Sequence, residues 1–188
     1  NAAIEVDGAA YWLSDNGFFR YSGNLETMTC LVEDYVYDDI NTTASQLINV
    51  GLNNLFGEIT WFYPTQSSEI VNRSVTYNYA ESSPQRPIWT TGSLARTTWV
   101  DSAVFGLPHG TSYNATGTSY DVVGNTEGAT TYYQHETGTD QVKSSATTTV
   151  AANIESGDFD ITRGQGGADL RGDGEFIMKI RRFIPDFL

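Results

Sequence analysis

The central part of the chain alternates between apolar and polar residues, a pattern typical of half-buried β-strands. Glu58–Pro64 alternates around a central tryptophan, and Arg73–Tyr79 places a valine and two tyrosines on one face and small polar residues on the other. Two further strands are predicted at Ile88–Leu94 and Thr97–Phe105, and polar turns rich in Ser, Thr, Gln and Pro separate the strands. Gly57–Phe105 is therefore predicted to form four antiparallel strands with no helix between them, as in one blade of a β-propeller.

Two stretches ahead of this unit have different patterns. In Ala9–Tyr21 the turn sequence Asp15-Asn16-Gly17 separates two aromatic runs, which predicts a β-hairpin. Leu25–Leu55 interrupts the alternation, because its apolar residues recur at roughly helical spacing. The pattern predicts a short helix near Asn41–Val50, with Asn41 or Thr42 as its N-cap.

The second half of the chain is richer in glycine. Gly106–Gly128 is loop-rich with a strand predicted at Ser119–Val123, and Thr130–Glu136 alternates again. Strands are also predicted at Thr147–Glu155 and Glu175–Ile184, with a glycine-rich segment between them.

These patterns predict an all-β fold in which antiparallel sheets form β-propeller-like blades and one short helix is inserted. The predicted parts are a hairpin at residues 1–24, a connection with the helix at 25–56, a blade at 57–105, a second blade at 106–145 and closing strands at 146–188. The chain begins almost directly in a strand and without methionine, so we expect a single β-rich domain within a longer propeller-containing chain. We expect four aromatic side chains to be largely buried: Trp61, Tyr77, Trp89 and Trp99.

The chain is strongly acidic, with 10 Lys and Arg against 23 Asp and Glu and a net charge of −13. Three of the cations, Lys179, Arg181 and Arg182, lie near the end of the sequence. A surface of this charge repels phosphates, which argues against a protein that grips nucleic acid but allows a wall past which DNA slides. Solubility is the simpler interpretation of the charge.

Cys30 is the single cysteine, so neither an internal disulfide nor a cysteine-cluster zinc site can form. Sequons begin at Asn41, Asn72 and Asn114, but Asn, Ser and Thr are abundant enough for chance matches, so secretion does not follow. No apolar run has the length of a membrane span.

Two histidines are the first candidates for chemistry. His135 and Glu136, beside Tyr132 and Tyr133, have the composition of a general base with a carboxylate partner, yet a histidine at a strand end more often serves packing or a turn. His109 stands alone in the sequence.

The glycine-rich segment Gly164–Glu175 has oxygen ligands of the kind that Ca²⁺ prefers, but it occurs once and lacks regular acidic spacing. Within it, Arg171-Gly172-Asp173 spells the adhesion tripeptide, which a polar loop explains equally well. We therefore predict that folding and function need no metal and no cofactor.

Four carboxylates are candidates for a glycosidase pair, although the sequence does not show which of them face each other: Glu58, Glu81, Asp101 and Glu155. Arg96 and Asp101, which flank Trp99, are more simply interpreted as an ion pair or a turn anchor. We predict no catalytic residue, and hence a protein that is not an enzyme.

Several motifs along the chain stand out in combination: ITWFYPTQSSEIVNRSVTYNY, the tryptophan and G-x-L-x-R-T-x-W-x-D of Trp89–Asp101, YYQHETGTD, AANIESGDFDI and MKIRRFIPDF. Together they resemble the C-terminal part of the nozzle or stabilization proteins of tailed bacteriophages, which form the distal tail tube. The resemblance covers most of Ala9–Phe187, and its motifs are specific only in combination.

The resemblance implies a structural virion protein with a central β-propeller. It implies a homo-oligomeric ring around the tail axis. Its expected partners are the tail adaptor, other tail proteins and the host surface. Genomic DNA would pass through the lumen without specific binding. A whole nozzle protein is longer than this chain, so its platform or tip elements would lie outside these residues.

A second class of function stays open, a propeller or sandwich module that binds or cleaves host surface glycans. Exposed Trp and Tyr platforms would support it. The aromatic content of 13% serves both classes, because Trp61, Tyr63, Tyr77 and Tyr79 stand at alternating positions where aromatic residues are more often core.

The charge pattern also predicts how a DNA channel would be lined. A basic wall would hold phosphates, whereas an acidic wall keeps the duplex mobile, so we expect acidic residues on the wall. We expect Lys179, Arg181 and Arg182 to pair with carboxylates of the sheet or of a neighbouring subunit, away from DNA.

Overall fold

A computed structural model of the chain describes residues 2–102, 104–114, 129–138, 140–143 and 146–149. These residues form antiparallel sheets with two short helical segments, which confirms the predicted all-β class. No closed arrangement of blades is present within the described ranges.

The first sheet, sheet A, is a four-stranded meander. Its strands are β1 (Ala3–Val6), β2 (Ala9–Ser14), β3 (Gly17–Tyr21) and β4 (Leu25–Thr27), paired in chain order. The predicted hairpin of β2 and β3 is confirmed, with Ser14 opposite Gly17. The turn before β2 was not predicted, although Asp7 and Gly8, with φ angles of 51° and 77°, supply the positive φ that a tight hairpin turn needs.

Two short helical segments follow sheet A, whereas the sequence predicted one, so the first of them was missed. They are α1 (Glu33–Tyr37) and a 3₁₀ helix (Thr42–Leu47). The predicted cap is present, because Asn41 Oδ1 accepts a hydrogen bond from the backbone N–H of Thr43 at 3.0 Å. The predicted helix at Asn41–Val50 is too long, since Ile48 is already extended and a strand begins at the next residue.

The second sheet, sheet B, is also a four-stranded meander. Its strands are β5 (Asn49–Asn53), β6 (Glu58–Tyr63), β7 (Arg73–Asn78) and β8 (Trp89–Gly92). It differs by one strand from the blade predicted at Gly57–Phe105. The strand predicted at Thr97–Phe105 belongs to the next sheet. The fourth strand of sheet B is instead β5, which pairs with β6.

The third sheet, sheet C, has three described strands. They are β9 (Thr98–Val100), β10 (His109–Asn114) and β11 (Ala129–Gln134), and β10 lies in the middle. The sequence predicted β11 but assigned β10 to a loop. A hairpin of β12 (Asp140–Lys143) and β13 (Ala146–Thr149) follows. The strands predicted at Ser119–Val123 and Glu175–Ile184 lie outside the described residues.

An aromatic core joins sheets A and B. Phe18 of β3 inserts between two tryptophans of sheet B, with ring centroids 5.1 Å from Trp61 and 4.7 Å from Trp89. Both indole N–H groups are satisfied, because Trp61 donates to the carbonyl of Ala2 and Trp89 to that of Thr29, each at 2.9 Å. The layer therefore excludes water without leaving these two donors unpaired.

Sheet C covers the opposite face of sheet B. Trp99 of β9 lies against Gly51 of β5, where a side chain would leave no room for the indole ring. Its Nε1 donates to the carbonyl of Leu52 at 2.8 Å, and its ring packs 5.8 Å from that of Phe62. Trp61 and Trp89 are buried as predicted, whereas Tyr77 and Trp99 are half-buried.

The first strands of the three sheets are neighbours. β1 contacts β5, and β5 contacts β9, so the sheets follow one another with their first strands on the same side. Each meander ends on a strand farther from this row.

Candidate functional site

The largest group of predicted site residues meets between sheets B and C. Arg96, which precedes β9, is only 9% exposed, and its Nε donates to Nε2 of His135 at 2.9 Å. Its guanidinium carbon lies 3.9 Å from the centroid of the Tyr133 ring, and Trp99 packs against His135 with 4.5 Å between ring centroids. One arginine is thus held by a hydrogen bond and a cation–π contact.

This geometry fixes the chemical state of His135. Burial, with the nearby charge of Arg96 and then His109, lowers the pKa of His135 to about 4. Its Nε2 accepts from Arg96, so the proton of the neutral ring must lie on Nδ1. A proton-abstracting role would need this bond to break, so the arrangement favours packing between the sheets over general-base chemistry.

Arg96 is a buried cation with no carboxylate partner among the described side chains. Burial lowers its pKa, and its second donor, Nη1, bonds to the carbonyl of Ala95 at 2.6 Å. The ion pair considered for Arg96 and Asp101 does not form. Asp101 instead anchors a turn, because its Oδ2 accepts from the backbone N–H of Asn54 at 2.6 Å.

Glu136 and His109 make separate contacts in the same region. Glu136 Oε1 accepts from Nδ2 of Asn53 at 3.0 Å, which ties the end of β11 to β5. His109 hydrogen-bonds through Nδ1 to the hydroxyl of Tyr132 and packs 5.2 Å from the ring of Phe105. Neither histidine touches a nucleophilic serine, threonine or cysteine side chain in these contacts.

Of the four candidate glycosidase carboxylates, the structure brings two into electrostatic range. Burial raises the pKa of Glu58, and the charges of Glu136 and Glu81 raise it further. Asp101 serves the turn at Asn54 instead. Glu155 lies outside the described residues, as do the Gly164–Glu175 segment, its Arg-Gly-Asp sequence and the cations Lys179, Arg181 and Arg182.

The amides of two sequons are used inside the fold. Asn41 Nδ2 donates to the carbonyl of Ser68 at 2.8 Å, and Asn72 Nδ2 donates to Oγ1 of Thr65 at 3.0 Å. A glycan on either nitrogen would disrupt these bonds, so both asparagines serve the loops in which they lie. The side chain of Asn114 is outside the described set.

The described part of the chain was searched for metal ligands and for a reactive thiol. Its His, Cys, Asp and Glu side chains form no group of three that could hold a metal ion. Cys30 is a buried free thiol, and burial raises its pKa to about 12, which suppresses the reactive thiolate. In the same residues, no helix is long and apolar enough to cross a bilayer.

Comparison with known proteins does not assign the chain to a family. No protein-family model matches the chain, and no curated protein matches it at a significant level.

Proposed function

We propose that the chain is a structural protein of a phage tail nozzle. In this role it forms a homo-oligomeric ring around the DNA exit channel of the virion, contacts the tail adaptor and other tail proteins, and helps to retain and release the genome. The proposal starts from the sequence resemblance. The observation that supports it best is the row of first strands formed by β1, β5 and β9.

That row is what successive propeller blades require. A blade is a four-stranded antiparallel meander, and neighbouring blades place their first strands side by side around a central axis. Sheets A and B are two such meanders in direct sequence, and the first strand of sheet C continues the row. We therefore propose that these sheets are consecutive blades.

Lateral contacts in a ring need apolar surface, and the outer face of sheet A provides it. Trp12 and Phe19 stack there with ring centroids 5.7 Å apart. On the same face Tyr21 is 50% and Leu25 65% exposed. Exposed apolar faces of this kind mark interaction surfaces.

The described charges are compatible with a DNA channel of low friction. Arg20 is paired with Glu26, and Arg96 is buried between sheets, so neither of these two cations is free to hold phosphates. The row of first strands carries no Lys or Arg. An acidic wall, with genomic DNA passing unbound, remains part of the proposal.

The glycan-binding alternative loses two of its platforms. Trp61 and Tyr63 are fully buried, so neither ring can stack on a saccharide. Tyr77 and Tyr79 are half-buried and lie beside a groove. Cleavage of glycans would need a pair of carboxylates, and among the described candidates only Glu58 and Glu81 lie in electrostatic range of each other.

Electron microscopy and light scattering of the purified chain test the ring. We expect rings with an axial channel, in which a neighbouring copy would cover the apolar outer face of sheet A. A monodisperse monomer of 20.7 kDa at micromolar concentration would contradict the proposal.

Two leucines of nearly equal exposure give a matched pair of variants. Leu25→Asp places a charge on the outer face of sheet A, where the side chain is 65% exposed, and should abolish the rings. Leu55→Asp changes a residue that is 64% exposed in the turn between β5 and β6, and should leave them intact. Equal effects of both variants would show that sheet A is not the contact surface.

A further inference from the structure

A groove with a volume of about 310 Å³ lies where sheets A and B separate at one edge. One wall comes from β2, β3, β4 and the segment after β4. The other comes from the end of β7 and the loop that leads to β8. The volume is near the lower end of the range of about 300–1,000 Å³ that is usual for small-molecule sites.

Three tyrosines form the aromatic part of the groove. The rings of Tyr11 and Tyr77 lie 6.3 Å apart across the two sheets, and Tyr79 continues the row. Tyr11 is nearly buried, whereas Tyr77 and Tyr79 retain exposed surface. Such rings offer an apolar surface together with hydroxyl groups that can donate or accept.

An ion pair forms the polar part. Arg20 Nη1 donates to Oε2 of Glu26 at 3.0 Å, and both side chains are accessible, at 36% and 52%. The guanidinium of Arg20 lies 5.8 Å from the centroid of the Tyr11 ring, so charge and aromatic surface are adjacent. Ser82 and Ser83 add hydroxyl groups on the opposite wall.

This combination suits one class of ligand. A saccharide has an apolar face of C–H groups that packs on aromatic rings and a rim of hydroxyls that pairs with planar guanidinium and carboxylate groups. Arg20 and Glu26 neutralise each other, so the groove offers no net charge to an anionic ligand. The acidic chain, at −13, also disfavours phosphates and acidic sugars.

We propose that this groove binds a neutral saccharide of one or two rings, which packs on Tyr77 and Tyr79 and pairs with Arg20 and Glu26. The site goes beyond the ring role and does not depend on it, because all of its residues come from one copy of the chain. A protein that failed to form rings would still bind the saccharide.

Ligand-observed NMR with maltose, cellobiose and lactose as probes tests the site at millimolar concentration. We expect saturation transfer from the protein to at least one probe. We expect N-acetylneuraminic acid, an anionic sugar, to receive less. Absence of transfer to all three neutral probes would overturn the proposal, and so would stronger transfer to the anionic sugar.

Variants then locate the binding. Glu26→Gln keeps the shape of the side chain but removes its charge and one acceptor, and should weaken binding about tenfold. Tyr79→Leu removes the ring and should abolish saturation transfer. Glu69→Gln, a carboxylate outside this groove, is the matched control and should bind as the unchanged protein does.

The result does not depend on a single variant. Glu26 is exposed, so Glu26→Gln should remain folded even if Tyr79→Leu does not. Circular dichroism confirms the fold of each variant before titration. Unchanged binding by Glu26→Gln, or an equal loss in Glu69→Gln, would place the saccharide elsewhere and overturn the assignment.

Discussion

Sheet B has two covered faces, and they are built from different chemistry. Against sheet A it presents Ile59, Trp61 and Trp89, which pack with Phe18 in an aromatic layer. Against sheet C it presents Gly51 and polar groups, and the contact is made by Trp99, Arg96 and a set of hydrogen bonds. One face is held mainly by burial of apolar area, and the other by fit and polar pairing.

The two faces of sheet B should therefore lose stability in different ways. Loss of an apolar side chain removes burial and leaves a cavity, so its cost should be largely independent of pH and salt. The polar face depends on a neutral histidine and on a glycine that makes room for a ring, so it should respond to acid and to small steric changes.

The largest effect is expected from Trp61→Ala in the apolar layer. Its side chain is fully buried, and truncation should lower the free energy of unfolding by about 3–5 kcal/mol. Trp12→Ala, on the half-exposed outer face of sheet A, is the control and should cost less. Urea denaturation measures both, and a loss below about 1 kcal/mol for Trp61→Ala would show that the layer is not the main core.

A smaller effect is expected from Gly51→Ala on the polar side. A Cβ at this position would lie 2.6 Å from Cδ1 and 2.9 Å from Cβ of Trp99, which should cost about 1–3 kcal/mol. The Gly51→Ala/Trp99→Ala double variant should be more stable than the sum of the single effects predicts. Additive losses in urea denaturation would mean that the two residues do not meet.

The acid response of the polar face should be smaller again. The pKa of His135 is lowered to about 4 in the folded protein, below its ordinary value, so the unfolded chain binds the proton first as pH falls. The contribution of neutral His135 to the stability of the fold is therefore complete above the ordinary pKa of histidine. It is lost as pH falls towards about 4. Allowing for partial exposure, we expect a loss on the order of 1–2 kcal/mol.

Denaturation curves at several pH values test this expectation. His135→Gln keeps a side chain that can accept from Arg96 but does not titrate, so part of the acid destabilisation should disappear. The same pH dependence in the variant and the unchanged protein would assign the acid response to other groups.

The smallest effect is expected outside both interfaces. Glu26→Gln breaks the pair with Arg20, whose two side chains are 36% and 52% exposed, and should cost less than about 1 kcal/mol. The cost should shrink further in high salt, because exposed charges are screened. A salt-independent loss of several kcal/mol would show that this edge contributes to the core.

The apolar interface is the part that the sequence predicts well. Alternation in β6 and β7 indicates which side chains share a face, and the burial of Trp61 and Trp89 follows from it. The Asp15-Asn16-Gly17 turn and the Asn41 cap are also local signals, and both are found. Each of these signals depends on residues that are neighbours in sequence, so one amino-acid sequence is enough to predict it.

The polar interface depends on residues that are distant in sequence. The sequence of β5, Asn-Val-Gly-Leu-Asn, has a central glycine and only two apolar residues, so its pattern does not predict a strand. The reason for the glycine is found only in the structure, where Trp99 occupies the space above Gly51. Arg96 and His135 are 39 residues apart, and no local pattern connects them. The missed β1 to β2 turn did have a signal, the Asp-Gly pair at positions 7 and 8.

Every described strand in sheets A, B and C pairs with a strand that is adjacent to it along the chain. The pairings of sheet A close over short loops, so the entropy lost in their closure is small. Such local pairing lowers the contact order of a β protein and favours faster folding. During synthesis, sheet A can form from its own residues before sheet B has been translated, and sheet B then packs on an apolar face that is already assembled.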